Sequence, residues 1–151
     1  MKYENIFIAT TDTVVGIGGP MNEKVEAEIF ELKNRPNDKK LLIMVPNIEV
    51  ARTFEGWDEN AEKIALREWP GPTTIILKEV GIRIPNNNGL IQLMKEVGPI
   101  YMTSANKSGK KTLSFEEAIK EFPEIKKHYN FGIGSNKPSK IIRASNSKIL
   151  R

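Results

Sequence analysis

Short apolar segments, separated by polar, glycine-rich or proline-rich stretches, run along this chain, and several have the length of β-strands. Residues 5–10 are apolar and β-prone, which predicts a first strand. The glycines and hydroxyls of Thr11 to Gly19 then favour a loop. The uninterrupted apolar run from Leu41 to Val45 is typical of a strand covered on both faces of a sheet. A strand that leads into a polar loop is a common setting for a binding site.

Apolar residues also recur at helical spacing in four places. Val25, Ile29 and Leu32 lie three or four residues apart with charges between them, which predicts a helix capped by Asn22 and ending near Lys33. A second predicted helix follows Asp58 and ends at Pro70, and a third contains Leu90, Met94 and Val97. A fourth begins at a Ser114-Phe-Glu-Glu117 capping box and runs through Phe122.

The second half of the chain contains further strand-like segments. They are Thr73 to Leu77, the residues around Ile82 and Ile84, Pro99 to Thr103, and the residues around Ile141 and Ile142. The first two are close enough in sequence to form a β-hairpin. Strands and helices are mixed without a strict βαβ rhythm, which indicates an α/β or α+β fold with a twisted, largely mixed sheet flanked by helices. A length of 151 residues suits a single domain that spans residues 1–151.

Composition narrows the function classes. The chain has no cysteine and one histidine, His128, which excludes thiol redox chemistry, thiolate zinc sites and multi-histidine metal sites. The longest apolar runs fall far short of the ~20 residues that a membrane helix requires. The N-terminal residues lack the apolar core of a signal peptide. We therefore predict a cytoplasmic protein that does not enter a membrane.

Charge is distributed unevenly along the chain. After Glu124 there is no acidic residue, and seven lysines and arginines leave the first 124 residues with a net charge of −3 against +4 for the whole chain. Clustered cations attract phosphate groups, either on a nucleotide or on RNA. The same composition also fits a solvated face of a lysine-rich protein, and the sequence leaves both interpretations open.

Four polar clusters stand at predicted strand ends or in glycine- and proline-rich loops, where side chains and backbone N–H groups can converge on a ligand. They are Thr11-Asp12-Thr13, Lys33-Asn-Arg35 with Lys39 and Lys40, Trp69-Pro-Gly-Pro-Thr-Thr74, and Thr103-Ser-Ala-Asn-Lys-Ser-Gly109. Each has an ordinary structural explanation when taken alone: a hydroxyl-stabilised turn, a basic helix end, a chain reversal or a loop.

Taken in order, these clusters give the chain a resemblance to the YrdC-like family of threonylcarbamoyl-AMP synthases, over about residues 5–151. The Ser-Ala-Asn-Lys-Ser-Gly segment is the most specific part of the resemblance. The other carriers are Thr11-Asp-Thr-Val-Val-Gly-Ile, Lys33-Asn-Arg-Pro, Trp69-Pro-Gly-Pro-Thr-Thr, Arg83-Ile-Pro, and Pro138-Ser-Lys-Ile-Ile ahead of Arg151. The resemblance implies a YrdC-like fold with a concave basic cleft.

The resemblance also implies an activity, a nucleotidyl transfer. L-threonine, bicarbonate and ATP would be joined into L-threonylcarbamoyl-adenylate with release of pyrophosphate. A separate tRNA threonylcarbamoyl transferase would then use this product to modify an adenosine of certain tRNAs. ATP would be a substrate, accompanied by Mg²⁺, and no cofactor would be tightly bound. The reactants are anionic, so a cation-lined cavity would gather them and stabilise charge at phosphorus.

The family motifs place site residues on this sequence by position. Lys33 and Arg35 would be the catalytic cations, with Arg35 on nucleotide phosphate and Lys33 on a carboxylate or bicarbonate. The resemblance places L-threonine contacts at Thr13, Lys78, Ser104 and Ser139, and ATP contacts at Arg35, Lys39, Thr74, Asn106, Ser114 and Arg151. Arg83 is open to two interpretations, a site residue or a structural cation that fixes the hairpin.

Several positions depart from the family pattern. Val15 stands in place of a usual tyrosine, Met44 in place of a histidine common beside the substrate, Lys39 in place of asparagine, Asn87 in place of histidine, and Lys140 and Arg143 in place of threonine and aspartate. The loop from Lys78 to Gly81 is short and the chain begins close to its first strand, which favours a minimised family member. Two alternatives stay open: a module that binds tRNA or double-stranded RNA, and a family member that binds nucleotide without turnover.

Overall fold

A mixed sheet forms the centre of the structure. The structure is a computed structural model, and it describes residues 2–34, 40–107 and 109–151, so the predicted site residues Arg35 and Lys39 lie outside the described residues. Within the described ranges, eight strands form one sheet in the order β7-β1-β2-β6-β3-β5-β4-β8. The strands are β1 (Phe7–Ala9), β2 (Gly16–Pro20), β3 (Leu42–Met44), β4 (Thr73–Ile76), β5 (Gly81–Arg83), β6 (Ile100–Ser104), β7 (Lys127–Tyr129) and β8 (Lys140–Arg143).

The sheet contains both parallel and antiparallel pairs, as the sequence predicted. β1 runs parallel to β7, β3 to β5 and β4 to β8, while the pairs β1/β2, β2/β6, β3/β6 and β4/β5 are antiparallel. The β4/β5 pair is the predicted hairpin. The fold-class prediction is confirmed.

Five helices lie in the described part of the chain. They are α1 (Glu23–Lys33), α2 (Ile48–Ala51), α3 (Glu59–Glu68), α4 (Asn88–Val97) and α5 (Phe115–Glu121). The predicted caps are confirmed: the Asn22 and Asp58 side chains accept the N–H groups of Val25 and Ala61, each three residues on. Ser114 forms the predicted capping box with Glu117.

The prediction that Thr11 to Gly19 is a loop was wrong in its second half, because Gly16 begins β2. A Cβ atom on Gly18 would lie 2.5 Å from the carbonyl oxygen of Tyr101 on the adjacent strand β6. The strand is therefore rich in glycine because its neighbours approach it closely. Its glycine content alone looks like that of a loop. The elements α2 and β7 are both short, and no sequence pattern predicted them.

Alternating side chains divide the apolar residues between the two sheet faces. One face packs against α1, α5, α2 and α3, and its strand residues are Ile8, Ile17, Ile43, Ile75 and Ile82. On the other face, α4 packs on Phe7, Ala9, Met44, Ile100 and Met102. The remainder of that second face, toward β4 and β8, borders a cavity.

The two edge strands divide the acid-free C-terminal part of the chain. Lys127 lies on β7, at one edge of the sheet, whereas Lys140 and Arg143 lie on β8, at the other edge. Six strands separate them in the order of the sheet. The C-terminal cations are therefore divided between the two edges of the sheet.

The segment after β8 turns back along it. The Arg143 N–H donates to the Lys148 carbonyl oxygen at 2.9 Å, and the Leu150 N–H donates to the Ile141 carbonyl oxygen at 2.7 Å. This return brings Arg151 beside Ser139. Among the described residues, no helix has the length and apolar character needed to cross a membrane.

The carboxylate of Glu68 connects the end of α3 to β4 and β8. It accepts hydrogen bonds from the Thr73 hydroxyl at 2.9 Å and from the Arg67 guanidinium at 2.9 Å, and it pairs with the Lys140 ammonium at 3.0 Å. These donors, Arg67 first, lower the pKa of Glu68 to about 2. The folded state therefore binds this proton more weakly than the unfolded state does.

We predict an acid-dependent loss of stability from this carboxylate. Its contribution is fully present above the unfolded-state pKa of about 4.5 and disappears as the pH falls toward about 2. The contribution is on the order of 1 kcal/mol, because the pairs lie near solvent. Urea unfolding of Glu68→Gln should therefore show a flatter pH dependence between these values, whereas Glu59→Gln, on the same helix but exposed, should follow the parent curve. Equal slopes for Glu68→Gln and the parent would contradict the assignment.

Candidate functional site

A cavity of about 440 Å³ lies on the sheet face opposite α1 and α3. Its lining has two polar groups and an apolar floor. The first polar group comprises Thr11, Thr13, Arg83, Thr103 and Ser104, the second comprises Thr74, Ser139 and Arg151, and the floor includes Leu42, Met44, Ile76, Met102 and Ile141. The volume suits a ligand the size of a small metabolite or nucleotide.

The loop after β1 presents Thr13 to the cavity. The Thr13 N–H donates to the Thr11 hydroxyl oxygen at 2.9 Å, and the Thr11 hydroxyl donates to the Val14 carbonyl oxygen at 2.6 Å. The hydroxyl of Thr11 thereby replaces a backbone acceptor and donor in a tight turn. The turn fixes the Thr13 hydroxyl oxygen 3.2 Å from Nη2 of Arg83.

A second segment lies directly on this loop. The N–H groups of Ser135 and Asn136 donate to the carbonyl oxygens of Asp12 and Thr13 at 3.0 and 2.9 Å. A Cβ atom on Gly134 would come within 2.3 Å of the Thr11 carbonyl oxygen. Only glycine permits this approach, so Gly134 allows its segment to lie directly against the threonine loop.

Arg83 and Asp12 form a buried ion pair in the cavity wall. Nη1 of Arg83 donates to both carboxylate oxygens of Asp12 at 2.8 and 2.9 Å, and the Asn86 N–H donates to the same carboxylate at 2.9 Å. The Arg83 side chain is 1% exposed. Its Nε atom is buried and has no hydrogen-bond partner among the described residues. A buried donor without a partner is costly to the folded state.

Lys33 reaches the same region from the end of α1. Its Nζ donates to the Thr103 hydroxyl at 2.9 Å and to the Ser104 carbonyl oxygen at 2.7 Å, with the Ser104 hydroxyl 3.5 Å away. The residue is 3% exposed. Lys33 therefore places a buried positive charge beside the hydroxyl groups of Thr103 and Ser104, the last two residues of β6.

The second polar group joins β4 to the C-terminal segment. The hydroxyl oxygens of Thr74 and Ser139 are 2.8 Å apart, and Arg151 donates from Nε to the Ser139 carbonyl oxygen at 2.8 Å and from Nη2 to the Ser139 hydroxyl at 3.2 Å. Burial lowers the pKa of the Arg151 guanidinium from its usual value. Arginine stays protonated under all physiological conditions, so this end of the cavity carries a fixed positive charge.

Asn106 organises the loop after β6. Its amide nitrogen donates to the carbonyl oxygens of Lys107 and Lys110 at 3.2 and 2.8 Å, which fixes the orientation of the amide. Its Oδ1 atom is buried and has no partner among the described residues. Asn106 thus offers an unused acceptor next to Ser104.

The structure brings most of the predicted site residues together. Thr13, Thr74, Ser104, Ser139 and Arg151 line one cavity. Lys33 contacts the cavity wall through its bonds to Thr103 and Ser104, and the buried Asn106 follows that wall in the chain.

Two predicted residues lie elsewhere, and their roles stay predictions. Lys78 is exposed and pairs with Glu55 at 3.0 Å. Ser114 caps α5 and does not appear in the described lining of the cavity. For Arg83 the sequence left two interpretations open, and the structure combines them: it is fixed by Asp12, as a structural cation would be, and it lines the cavity.

The unusual residues of the sequence have distinct surroundings. Met44 lines the cavity, and Val15 packs against the core next to α1. Asn87 caps α4 through the Leu90 N–H, and Lys140 binds Glu68. Of these four, only Met44 alters the cavity surface.

The described lining carries more positive than negative charge. Its cations are Lys40, Arg83 and Arg151, and Glu79 is its carboxylate. No three acidic, histidine or cysteine side chains gather into a metal-binding group within residues 2–34, 40–107 and 109–151.

We predict that the Asp12 and Arg83 side chains are energetically coupled. Asp12→Asn leaves a buried guanidinium without its counter-charge and should lower the free energy of unfolding by about 3 kcal/mol. Arg83→Met removes the charge that Asp12 neutralises. The double variant should therefore lose less than the sum of the two single losses in urea denaturation. Additive losses would show that the pair does not stabilise the wall of the cavity.

Comparison with known proteins gives the class to which this site belongs. A family model for the Sua5, YciO and YrdC proteins, described as telomere recombination, matches residues 1–151. The chain belongs to this family. The sequence-based resemblance is therefore confirmed.

The names of curated relatives state a specific activity. The chain is 33% identical to a putative threonylcarbamoyl-AMP synthase of Methanocaldococcus jannaschii over 96% of its own length and 77% of that relative. It is 26% identical to a threonylcarbamoyl-AMP synthase of Laribacter hongkongensis, covering all of this chain and 91% of that protein.

Solved structures share the fold. Pyrococcus abyssi Sua5, in a crystal structure with L-threonine, superposes with a TM-score of 0.88 at 28% identity, covering 97% of this chain. Escherichia coli YciO superposes with a TM-score of 0.84 at 19% identity, which shows the fold alone. The chain spans half the length of the Sua5 structure, so it matches only part of that larger protein.

Proposed function

We propose that this chain synthesises L-threonylcarbamoyl-AMP from L-threonine, bicarbonate and ATP, with release of pyrophosphate, for the modification of tRNA. The proposal rests mainly on one observation: Arg83, Thr13 and Ser104 share a single cavity with Thr74, Ser139 and Arg151. One end suits a small carboxylate and the other suits a phosphate. The relatives named threonylcarbamoyl-AMP synthase support the same assignment.

The amino-acid end centres on Arg83. Asp12 engages Nη1 of the guanidinium, and the unpartnered Nε atom lies in the cavity wall. The planar fork of arginine matches a carboxylate, so the carboxylate of threonine binds on the Nε side of Arg83. Thr13, held against Nη2, lies beside this position.

Lys33 supports the step in which the carbamate forms. The threonine amine attacks the carbon of bicarbonate, a C–N bond forms and water leaves. The product is a second carboxylate that must lie close to the first. The buried Lys33 charge, fixed behind Thr103 and Ser104, offsets the repulsion between these anions.

We assign the nucleotide to the second polar group, which comprises Thr74, Ser139 and Arg151. The carbamate oxygen attacks the α-phosphorus of ATP, the bond from that phosphorus to the bridging oxygen breaks, and pyrophosphate leaves with the electron pair. Arg151, anchored on Ser139, carries positive charge toward the phosphates, and Arg35 and Lys39 are the further phosphate contacts that the family motif predicts. Magnesium supplies charge neutralisation on the triphosphate when it is bound.

The product is a mixed anhydride of a carbamate and a phosphate. Such an anhydride reacts readily with water, so it needs rapid transfer to an acceptor. We propose a tRNA threonylcarbamoyl transferase in the cytoplasm as the downstream partner, in keeping with the product's chemistry.

Of the alternatives, an RNA-binding module receives less support. The C-terminal cations that suggested it are divided between the two edges of the sheet, and Lys140 is paired with Glu68. A steep decrease of tRNA affinity with salt would favour this alternative. A family member without turnover would bind ATP and release no pyrophosphate.

We predict pyrophosphate release that requires ATP, L-threonine and bicarbonate together. Lys33→Met keeps the length of the side chain and removes its charge, so kcat should fall about 100-fold or more. Lys63→Met removes an exposed lysine from α3 and should leave the rate unchanged. The measurement is the initial rate of pyrophosphate release, with circular dichroism to check that both variants fold.

Two results would contradict the proposal. One is pyrophosphate release that continues without threonine, and the other is no release above the level of Lys33→Met. ATP binding without release, measured by calorimetry, would establish the family member without turnover instead.

A further inference from the structure

We infer that the amino-acid end of this cavity selects its substrate by size and β-branching and not by a hydroxyl group, so that L-valine is a substrate alongside L-threonine. The inference rests on the proposed function, because it takes Arg83 as the binding group for the carboxylate. What carries it is the surface on the β3 side of Arg83, where Met44, Met102 and Leu42 line the cavity.

Met44 stands next to Arg83 in the sheet. The two residues are register partners in the parallel pair β3/β5. Partners on neighbouring strands lie about 5 Å apart and direct their side chains to the same face. Both line the cavity, and each is 1% exposed. An amino acid whose carboxylate binds Arg83 therefore has its side chain within reach of the Met44 thioether.

Met102 and Leu42 extend this apolar surface. They are register partners on β6 and β3, and both line the cavity. A Cβ atom on Gly16 would lie 2.4 Å from Sδ of Met102, so the Met102 side chain crosses β2 at the position where glycine leaves room for it. The floor beside the carboxylate position is thus formed by two thioethers and a leucine.

The hydroxyl groups of Thr11 and Thr13 already have partners. Thr11 donates to the Val14 carbonyl oxygen, so in its 3.2 Å contact with Thr13 the Thr13 hydroxyl is the donor. The Thr13 oxygen in turn accepts Nη2 of Arg83. These bonds orient the carboxylate anchor. They leave the hydroxyl of a bound threonine facing a surface where a methionine sulfur accepts only weakly.

The consequence for selectivity is large. A site that hydrogen-bonds a substrate hydroxyl rejects the analogue without it by about 10⁴-fold or more, whereas an apolar pocket separates a hydroxyl from its methyl isostere by only about 100-fold. Valine replaces the threonine hydroxyl by a methyl group of nearly the same size. We therefore expect kcat/KM values for threonine and valine that lie within about 100-fold of each other.

The chemical step is the same for either amino acid. The valine amine forms a C–N bond with bicarbonate and water leaves. The resulting carbamate oxygen attacks the α-phosphorus of ATP and pyrophosphate leaves. The product is L-valylcarbamoyl-adenylate. No reactant is required beyond those of the proposed function.

The test compares three amino acids on the purified chain with ATP and bicarbonate. Pyrophosphate release gives kcat/KM for L-threonine, L-valine and L-serine, and mass spectrometry identifies the adenylates. Serine keeps the hydroxyl and lacks the methyl group, so it should be a poorer substrate than valine. Threonine favoured over valine by more than 1,000-fold, or serine favoured over valine, overturns the inference.

A substitution at Met44 tests the role of this residue in selectivity. Met44→Gln has a similar length and presents an amide to the substrate side chain, so the threonine-to-valine ratio should rise at least tenfold. Met21→Gln places the same change on an exposed methionine outside the cavity and should leave the ratio as it was. If Met44→Gln does not fold, the ratio measured on the parent chain still decides the question.

A failure of the proposed function gives a different result. In that case no amino acid stimulates pyrophosphate release. The inference is then decided by calorimetric titration of threonine and valine in the presence of ATP, where affinities within about 100-fold support it. Binding of threonine alone, with release or without it, overturns it.

Discussion

The ion pair between Arg83 and Asp12 is the interaction on which the candidate site depends. A guanidinium that is 1% exposed requires a fixed counter-charge, and Asp12 supplies it with both oxygens. The pair joins the loop after β1 to the end of β5. It also orients Thr13 beside the cavity. This part of the cavity wall therefore forms only when these two distant segments have docked.

The features that the sequence predicted well depend on neighbouring residues. Asn22, Asp58 and Ser114 cap helices through bonds to residues three positions on, and such spacing is visible in the chain itself. The apolar run of β3 and the β4/β5 hairpin have the same local origin. Mixed pairing follows once strands and helices alternate irregularly.

The features that it missed depend on contacts between distant residues. Gly18 belongs to a strand because Tyr101 passes close to it, and no local pattern reveals that approach. The strand β7 is short, lies at an edge and is largely polar, so it lacks an apolar signal. Asp12 and Arg83 are 71 positions apart, and the sequence left the partner of Arg83 unnamed. Of the site residues predicted from the family motifs, Thr13, Thr74, Ser104, Ser139 and Arg151 line the cavity, whereas Lys78 and Ser114 do not appear in its described lining.

The β4/β5 hairpin carries one residue from each end of the cavity. Thr74 and Arg83 both line the cavity, and the pairing of Ile75 with Ile82 sets their two strands beside each other. The spacing of these two side chains is thus set by sheet hydrogen bonds and not by flexible loops. Under the proposed function, part of the entropy lost in aligning an amino acid with a phosphate is consequently spent during folding, before either molecule arrives.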